Sequence, residues 1–516
     1  MARERHTRPP RESPCPAAGT CPDVCLILEG SYPFVFGGVS SWTQNLLTDC
    51  AELSFDLISI RPEGGSATSY YDPPGNLTGL HDLCLAPGRP GRWRLSGPDE
   101  ARFANLLCDL VLEGRLDTMA DLLAFLGKFA GTRDTAALLN GPSSWNVLRA
   151  CYSRLTPGAS FVQFYWAWRA FFGGVFRVLL APLPPARVYH AITTGFAGLM
   201  AVRATLETGR PAVLTEHGIY TNERRIDLML ANWLHDSFRI PLSSAEDGGG
   251  RQDIRDFWIT AFESLARLCY SASSEIISLS GIARAEQIAL GAEPERTRVI
   301  PNGIDVSRFA DLPRKPDRTP RIALIGRVVA IKDIVTFLHA VAQVRVNFPD
   351  LEALVVGPED EDPDYAAHCR EVRDRLGLGD ILRFTGIQPV ETILAQVDLV
   401  VLTSASESLP LVLLEAGAAG IACIATDVGA CRDVIDGPPG EAPALGRGGR
   451  ITRLSAPRDT AAAIVELLSD PEQRRACGAV LRTRVGRSFL ADDVTDAYRE
   501  LYRRLGEKAD RVSWRE

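Results

Sequence analysis

The chain contains 516 residues, more than one hydrophobic core usually organises, so at least two domains are expected. Its 46% hydrophobic and 23% charged residues are typical of a globular protein. The net charge of −8 argues against a general nucleic-acid-binding protein. The twelve cysteines occur singly with no Cys-x-x-Cys pair, so we expect free buried thiols rather than disulfides or a thiolate metal site.

The N-terminal part opens with a basic, proline-rich stretch over residues 1–22 that has no apolar core. It predicts a disordered leader and not a signal peptide. The apolar run 23–29 predicts a buried strand, followed by a glycine-rich loop over 30–38, a helix over 40–50 and a second strand over 55–60. This order is typical of the start of a doubly wound α/β domain.

Residues 62–180 have a different pattern, which predicts a mostly helical insertion. Within it, the apolar and aromatic segment 161–182 is interrupted by Arg169 and Arg177, which argues against a transmembrane helix. Two interpretations remain open for this segment. It is either a buried helix of the core or a surface that docks on a membrane partner.

The α/β pattern returns after the insertion and completes a first domain over residues 23–305. A proline-rich linker is predicted over 306–320, and a second α/β domain over 321–489. The final segment, 490–516, predicts an amphipathic helix that crosses back to the first domain. Strands are expected at 188–193, 212–216, 275–279, 321–325, 352–356, 381–385, 399–402 and 422–426.

Two glutamates eight residues apart, Glu407 and Glu415, lie across a loop and the first turns of an apolar helix. Pro410 suits a helix start, because the amide that proline lacks would have no partner there. The free amides around Leu411 and the helix dipole then favour an anion beside Glu407, while Glu415 can accept hydrogen bonds from ribose hydroxyls. Taken alone, the pair fits a purely structural explanation equally well. In that case one carboxylate stabilises the helix start and the other glutamate lies on the surface.

Two cations, Arg327 and Lys332, come directly after the first strand of the second domain. Ligands of doubly wound sheets bind outside the carboxyl ends of the strands, which is where these side chains are expected. Two positive charges can neutralise a diphosphate leaving group without a metal ion. The alternative is a basic turn exposed to solvent. This explanation is weaker for two cations at the end of a strand than for a single lysine.

Together these motifs resemble the retaining GT-B glycosyltransferases of family 4. The resemblance rests on Gly-Arg-x4-Lys at 326–332, Ile-Pro-Asn-Gly-Ile-Asp at 300–305, the pair Glu407 and Glu415, and the glycine-rich loop at 37–39. More narrowly, EGSYPFVFGGVSSW, TEHGIYTNERR and the helical insertion resemble the PelF family of glycosyltransferases from Pel exopolysaccharide synthesis. This narrower resemblance covers essentially the whole chain after the leader.

The resemblance implies a role for each motif residue of the second domain. Arg327 and Lys332 would hold the diphosphate, and Glu415 would bind the ribose. Glu407 would lie near the donor sugar, and the amides about Leu411 would contact sugar hydroxyls or phosphate. In this arrangement Glu407 acts by positioning and electrostatics rather than as a covalent nucleophile.

In the first domain, the resemblance places Gly38 against the diphosphate. His217 directly follows a predicted strand and would face the reacting sugar. Arg224 and Arg225, which we expect in the next loop, would meet acceptor, phosphate or solvent.

The sequence departs from the family pattern in three places. Ser408-Leu409-Pro410 stands where a Gly-Phe-Gly-like stretch is usual, and Pro410 cannot donate an amide hydrogen bond. Asp333 replaces a usual glycine. The acidic run 359–364 resembles a metal-binding motif, but we expect an exposed loop there, with no metal and no other cofactor.

The resulting expectation is an α/β protein of the GT-B class, with two Rossmann-like domains facing across a cleft. It would transfer a hexose or hexosamine from a UDP-sugar, with retention, to a growing Pel-type exopolysaccharide. The expected partners are the donor, the polysaccharide acceptor and membrane-embedded synthase or export subunits, without nucleic acid. We expect a cytoplasmic protein, peripheral at the inner membrane through such partners. A sugar-nucleotide epimerase and a non-catalytic synthase subunit are the alternatives.

Overall fold

The computed structural model describes residues 21–35, 37–62, 69–86, 93–128, 135–230, 254–313 and 319–513. Nearly all of the predicted leader, and residues 314–318 of the predicted linker, lie outside these ranges. The chain divides into two compact units. The first comprises residues 1–278, 284–298 and 499–516, and the second comprises 279–283 and 299–498.

The first unit alternates strands and helices at both ends and is helical in between. Its elements are β1 (Val24–Glu29), α1 (Gly38–Asp49), β2 (Phe55–Arg61), β3 (Leu77–Cys84), α2 (Gly97–Leu112), α3 (Leu116–Gly127), α4 (Thr135–Asn140), α5 (Pro142–Leu155), α6 (Phe161–Leu180), β4 (Val188–Ala191), α7 (Phe196–Thr208), β5 (Ala212–Glu216), α8 (Tyr220–Leu230), α9 (Ile254–Ala272), β6 (Glu275–Ser278), with α10 (Gly281–Ala289) at its border, and β7 (Thr297–Val299).

The sheet of the first unit has the strand order β3-β2-β1-β4-β5-β6-β7. β1 pairs in parallel with β2 on one side and with β4 on the other, so the strand order reverses beside β1. Both neighbours of β1 are buried, which explains why β1 is a nearly continuous apolar run in the sequence. This is the strand order of a Rossmann-like domain, as the sequence predicts.

The predicted helical insertion over 62–180 contains a strand that the sequence pattern does not reveal. β3 pairs in parallel with β2 and forms the edge of the sheet. Most of its residues are partly or fully exposed, so they carry neither the apolar run of a central strand nor a strict alternation. The helical part of the insertion is therefore shorter and begins at α2.

Helix α6 forms the centre of the helical part. It buries one continuous face, which includes Phe164, Trp168, Phe171 and Phe172, in the core of the first unit. The core interpretation of the apolar segment 161–182 is therefore correct for this face. No helix in the part of the chain that the structure describes is long and apolar enough to cross a membrane.

The second unit repeats the alternation of strands and helices. Its elements are α11 (Ser307–Ala310), β8 (Arg321–Ile325), α12 (Ile334–Val344), β9 (Glu352–Val356), α13 (Pro363–Arg375), β10 (Leu382–Phe384), α14 (Val390–Leu394), β11 (Leu399–Leu402), α15 (Leu411–Ala418), β12 (Ala422–Thr426), α16 (Cys431–Asp436), β13 (Gly449–Thr452), α17 (Pro457–Ser469), α18 (Pro471–Ser488) and the start of α19 (Ala491–Ser513).

The second sheet has the order β10-β9-β8-β11-β12-β13, so its strand order also reverses, here between β8 and β11. It is a second Rossmann-like sheet, and the prediction of two such domains is confirmed. The unit begins before the predicted linker. Phe309 is fully buried in its core, and Ile304 forms a bridge with Leu490, so these residues are packed rather than connecting.

The C-terminal helix α19 is held in the first unit by a buried polar chain. The hydroxyl of Tyr502 lies 2.7 Å from Nδ1 of His190, and Nε2 of His190 lies 2.8 Å from Oγ1 of Thr215. Burial lowers the pKa of His190 to about 3, so the ring is neutral. Arg187 and Arg504 add ion pairs, to Asp510 and Glu275 respectively.

The Tyr502→Phe variant tests this anchor. Loss of the hydroxyl leaves a buried imidazole nitrogen without its partner, so we expect a loss of about 1–2 kcal/mol in the stability of the docked helix. Hydrogen exchange of residues 499–513 should accelerate accordingly. Tyr152→Phe is the control, because that hydroxyl donates to the Ala159 carbonyl, seven residues further along the chain, and not to His190. Equal acceleration in both variants would contradict the anchoring role.

Candidate active site

An ion pair joins the ends of the two strands that flank the reversal point of the second sheet. Lys332 follows β8, and its Nζ donates a hydrogen bond of 2.5 Å to Oε1 of Glu407, which follows β11. Ser404 donates to the same carboxylate oxygen at 2.6 Å. Both charged side chains are mostly buried, with 18% of Lys332 and 12% of Glu407 exposed. The structure thus brings together two residues predicted as separate parts of one site.

The turn that carries Lys332 is fixed by the residue after it. Asp333 has φ +44° and ψ +51°, the left-handed conformation that glycine adopts most easily, and aspartate tolerates it better than most residues. Its carboxylate caps α12 by accepting hydrogen bonds from the amide of Thr336 at 3.2 Å and from its hydroxyl at 2.7 Å. At the position where the sequence resemblance leads us to expect a glycine, Asp333 therefore has less backbone freedom but supplies a helix cap.

The loop that carries Glu407 is held by close backbone packing. Gly429 has φ +48°, and a Cβ at this position would lie 2.1 Å from the carbonyl oxygen of Glu407. The amide of Ala430 donates to the carbonyl of Ser408 at 2.7 Å. Asn302, from the predicted Pro-Asn-Gly motif, donates to the carbonyl of Leu409 at 2.9 Å. These contacts place the loop independently of its own side chains.

Helix α15 begins at Leu411, directly after this loop. Pro410 is its N-cap residue, in an extended conformation, and no side chain caps the helix start. The first amides of a helix have no intrahelical acceptor, so this end carries partial positive charge. Leu411 therefore lies where the sequence places an anion-binding amide, a few residues after the carboxylate of Glu407.

Glu415 lies one turn further along α15 and is partly buried. Burial raises its pKa from 4.5 to about 7, and nearby Arg308 opposes this rise while Glu391 adds to it. Arg308 itself forms an ion pair with Glu391. Near neutral pH this carboxyl group is consequently poised between its two protonation states.

Arg327 is oriented differently from Lys332. Its guanidinium forms an ion pair with Glu361, and 39% of the Arg327 side chain is exposed. Other members of the acidic run are also engaged: Glu359 pairs with Arg370, and Asp362 caps α13. Within the described residues, no group of three or more His, Cys, Asp or Glu side chains is arranged to hold a metal ion.

His217 belongs to the first unit and directly follows β5. Its ring packs against Trp42 edge to face, with 4.5 Å between the ring centroids. Burial lowers its pKa to about 3, so the imidazole is neutral. Nε2 of His217 is buried, and no described residue offers it a hydrogen bond. A neutral imidazole with an unsatisfied nitrogen can accept or donate one hydrogen bond to a ligand hydroxyl.

Gly38 is the first residue of α1, which follows β1 at the reversal point of the first sheet. Its neighbour Gly37 is extended, and a Cβ there would meet no atom within 4 Å. The start of α1 lacks a side-chain cap, as the start of α15 does. Both units thus present an uncapped helix start at the carboxyl edge of their sheets.

Two buried carboxylates, Glu29 and Glu216, were not singled out from the sequence. Glu29 ends β1 and accepts hydrogen bonds from the amides of Phe196 at 2.7 Å and Ala197 at 3.3 Å, at the start of α7. Glu216 ends β5, beside His217, and accepts from Tyr270 at 2.8 Å and Gln287 at 3.0 Å. Burial raises the pKa of both groups. The sequence did offer a signal for both residues, because each is a glutamate at the end of an apolar strand.

The two arginines of α8 contact groups within the first unit. Arg225 forms an ion pair with Glu263. The guanidinium of Arg224 lies over the ring of Tyr220, 5.2 Å from its centroid. The two side chains therefore do not simply extend into solvent, and they lie on a helix rather than in the predicted loop.

Family comparisons separate the two halves of the chain. Residues 22–295, more than half of the chain, match the family described as "Domain of unknown function (DUF3492)". The chain belongs to the DUF3492 family. Residues 319–470 match the family described as "Glycosyl transferases group 1". This second match contains Arg327, Lys332, Glu407, Leu411 and Glu415, all of the residues predicted from the motifs of the second domain.

A curated relative supports the second match. The chain is 32% identical over 249 residues to a phosphatidyl-myo-inositol mannosyltransferase from Mycolicibacterium smegmatis. The match covers 44% of this DUF3492 chain and 57% of the relative. The chain thus spans a little more than half the length of that protein.

Solved structures show the similarity of the fold. The Anabaena HepE protein in complex with UDP and glucose aligns over 92% of this chain and 98% of its own, with a TM-score of 0.55 and 14% identity. Sucrose-phosphate synthase from Thermosynechococcus elongatus aligns over 93% and 98%, with a TM-score of 0.58 and 17% identity. Together with the two Rossmann-like sheets, these matches confirm the predicted GT-B fold class.

The raised pKa of Glu415 predicts a stabilising substitution. The unfolded chain loses this proton near pH 4.5 and the folded chain near pH 7, so the stability of the second unit falls as pH rises between these values. Glu415→Gln should remove the penalty. We expect a gain of about 2–3 kcal/mol at pH 8 and of less than about 1 kcal/mol at pH 5, measured by denaturant unfolding.

The control for this measurement is Glu371→Gln, on the exposed face of α13. It should change stability by the same small amount at both pH values. A gain from Glu415→Gln that does not depend on pH would contradict the assigned protonation behaviour.

Proposed function

We propose that this protein is a retaining glycosyltransferase that transfers a hexose or hexosamine from a UDP-sugar to a growing exopolysaccharide of the Pel type. The ion pair of Lys332 and Glu407 at the reversal point of the second sheet is the observation that carries this proposal. It sets a cation and a carboxylate beside the uncapped start of α15. A nucleotide-sugar needs these groups at the bond that breaks.

Lys332 supplies charge for the departing diphosphate. In the free protein its ammonium group is neutralised by Glu407. A diphosphate carries more negative charge than one carboxylate, so it competes for the ammonium and leaves Glu407 available to the sugar. Arg327 adds a second cation when it leaves its exposed pair with Glu361. These two groups, with the start of α15, make a divalent metal unnecessary in the proposed reaction.

The proposed reaction proceeds through an oxocarbenium-like transition state. The bond between the anomeric carbon and the phosphate oxygen breaks, and negative charge grows on the diphosphate. Lys332 and the amides about Leu411 stabilise this growing charge. The departing phosphate accepts the proton of the acceptor hydroxyl while the acceptor oxygen bonds to the anomeric carbon on the same face, so the anomeric configuration is retained. Glu407 orients the sugar and stabilises its positive charge.

Donor recognition is proposed from the same helix. Glu415 accepts hydrogen bonds from the ribose hydroxyls in its ionised form. The Anabaena HepE protein, of similar fold, is described in complex with UDP and glucose, which supports a uridine nucleotide as the first ligand to test. The sequence resemblance to family 4 supports the same choice.

The first unit is proposed to serve the acceptor side. His217 would hold a sugar hydroxyl through its buried Nε2, and Gly38 would leave room for the diphosphate. The resemblance to the PelF family supports a polysaccharide acceptor and membrane-embedded synthase or export subunits as partners. Such partners would place the protein at the inner membrane.

Loss of either cation should weaken donor binding. Lys332→Ala and Arg327→Ala should each reduce UDP affinity by about 1.5–3 kcal/mol, the value of a charge-assisted hydrogen bond. Isothermal titration with UDP measures the effect. Lys128→Ala and Arg383→Ala, on exposed surfaces, are the matched controls. Full UDP affinity in both site variants would refute the site, and loss of wild-type binding on adding EDTA would refute the metal-free assignment.

The two glutamates should separate binding from turnover. Glu415→Gln should weaken UDP binding, because its contact with ribose is the same in the ground and transition states. Glu407→Gln should keep or slightly improve UDP binding, because it releases Lys332, and should lose transfer activity. UDP titration and transfer from UDP-glucose or UDP-N-acetylgalactosamine measure the two effects. The opposite pattern would require the two roles to be exchanged.

A further inference from the structure

An exposed aromatic surface lies on α5 and the first half of α6. We call it the aromatic patch and define it by Trp145, Phe161, Val162, Tyr165 and Trp166. Of these, Trp145 is 48% exposed, and Val162 and Trp166 are each 63% exposed. Both tryptophans belong to a unit whose core already buries large aromatic side chains. Exposed aromatic groups at this density usually mark an interaction site.

The aromatic patch is one continuous surface built from two helices. Trp145 on α5 packs edge to face on Phe161, with 5.7 Å between the ring centroids. The ring centroid of Tyr165 lies 6.5 Å from that of Trp145 and 5.1 Å from that of Trp166. Mutual packing of the rings holds the exposed side chains in place, so little conformational entropy is lost when a partner covers them.

The segment that carries the aromatic patch has charged side chains of one sign. Residues 135–206 contain six arginines and neither aspartate nor glutamate, although the whole chain has 64 acidic residues and a net charge of −8. Arg149 is exposed on α5, and Arg169 lies over the ring of Tyr165 at 5.5 Å. Arg169 donates hydrogen bonds to the Leu139 carbonyl and the Asn140 side chain, so its charge is not cancelled there.

Carboxylates from the neighbouring helix α2 do contact α5. Glu100 accepts a hydrogen bond from Asn146, and Asp109 forms an ion pair with Arg154. Arg154 balances Asp109, so Arg149 and Arg169 are two positive charges beside the aromatic patch against the single carboxylate of Glu100. The surface therefore combines aromatic rings with a local positive charge on a protein that is negative overall.

We propose that the aromatic patch binds the surface of an anionic lipid bilayer. Tryptophan and tyrosine prefer the interface between lipid headgroups and acyl chains, because each ring has an apolar body and a polar group. Arginines beside them are attracted to anionic headgroups. The segment 135–206 contributes no acidic side chain that anionic headgroups would repel. The contact is peripheral, since no described helix crosses a membrane.

This proposal does not rest on transferase activity. It differs from recruitment by membrane-embedded partners, because it requires lipid alone. UDP binding, which tests the second unit, can be measured on the same variants, so a failure of the proposed function is distinguished from a failure of lipid binding.

A matched pair of substitutions tests the aromatic patch. Val162→Asp adds one negative charge at the centre of the patch, in the first turn of α6, where aspartate does not disfavour a helix. Val346→Asp adds the same charge at a valine that is 84% exposed in the second unit. The full chain is sedimented with protein-free vesicles of phosphatidylglycerol mixed with phosphatidylcholine, and with phosphatidylcholine alone.

We expect the wild type to bind the anionic vesicles and to bind phosphatidylcholine at least tenfold more weakly. Val162→Asp and Trp145→Ala/Trp166→Ala should each reduce binding at least tenfold, and Val346→Asp should leave it unchanged. Arg149→Gln and Arg169→Gln should each reduce it about fivefold. Bromine-labelled lipids should quench tryptophan fluorescence in the wild type and much less in the double variant.

Three results would overturn the proposal. The first is a wild-type protein that binds neither vesicle, which would assign the aromatic patch to a protein or a glycan instead. The second is an equal loss of binding in Val162→Asp and Val346→Asp, since this would show a nonspecific effect of charge. The third is vesicle binding that survives in Trp145→Ala/Trp166→Ala.

Discussion

The partly buried ion pair of Lys332 and Glu407 places the strongest constraint on the second unit. Removing either charge would leave the other without its partner in a poorly hydrated position, so both turns must hold their side chains accurately. The surrounding backbone meets this requirement. Asp333 takes a left-handed conformation and caps α12, and Gly429 allows the Glu407 loop to approach within a distance that no side chain permits. The two side chains are thus held in place by the fold, and in the proposed reaction a diphosphate needs only to replace one carboxylate.

The first unit uses burial rather than ion pairing at the corresponding edge of its sheet. Glu29 and Glu216 end two strands, and both are held by hydrogen bonds while burial raises their pKa. His217, between Glu216 and a glycine, is kept neutral by burial against Trp42. The neutral imidazole of His217 suits the proposed acceptor, which is uncharged at the reacting hydroxyl, as the ion pair of the second unit suits a diphosphate.

Helix α6 shows how one segment can serve two purposes. One face carries Phe164 and Trp168 into the core, while Val162 and Trp166 remain exposed on the other. Because neighbouring positions of a helix point in different directions, an aromatic segment of this length cannot be buried on all sides unless other elements surround it. The two interpretations of this segment were therefore not exclusive. The core interpretation describes one face, and the exposed face is available for the proposed lipid contact.

The sequence by itself determined the elements whose signal is local. Central strands such as β1 and β8 are buried on both faces, so they appear as apolar runs, and the motifs that follow them mark the carboxyl edge of each sheet. The edge strand β3 was missed because its side chains face solvent and carry no such run. Only the tertiary structure decided that Lys332 meets Glu407, 75 residues later, or that Arg327 turns to Glu361. Pairing between distant residues depends on strand order and on turn geometry, which no local pattern of residues contains.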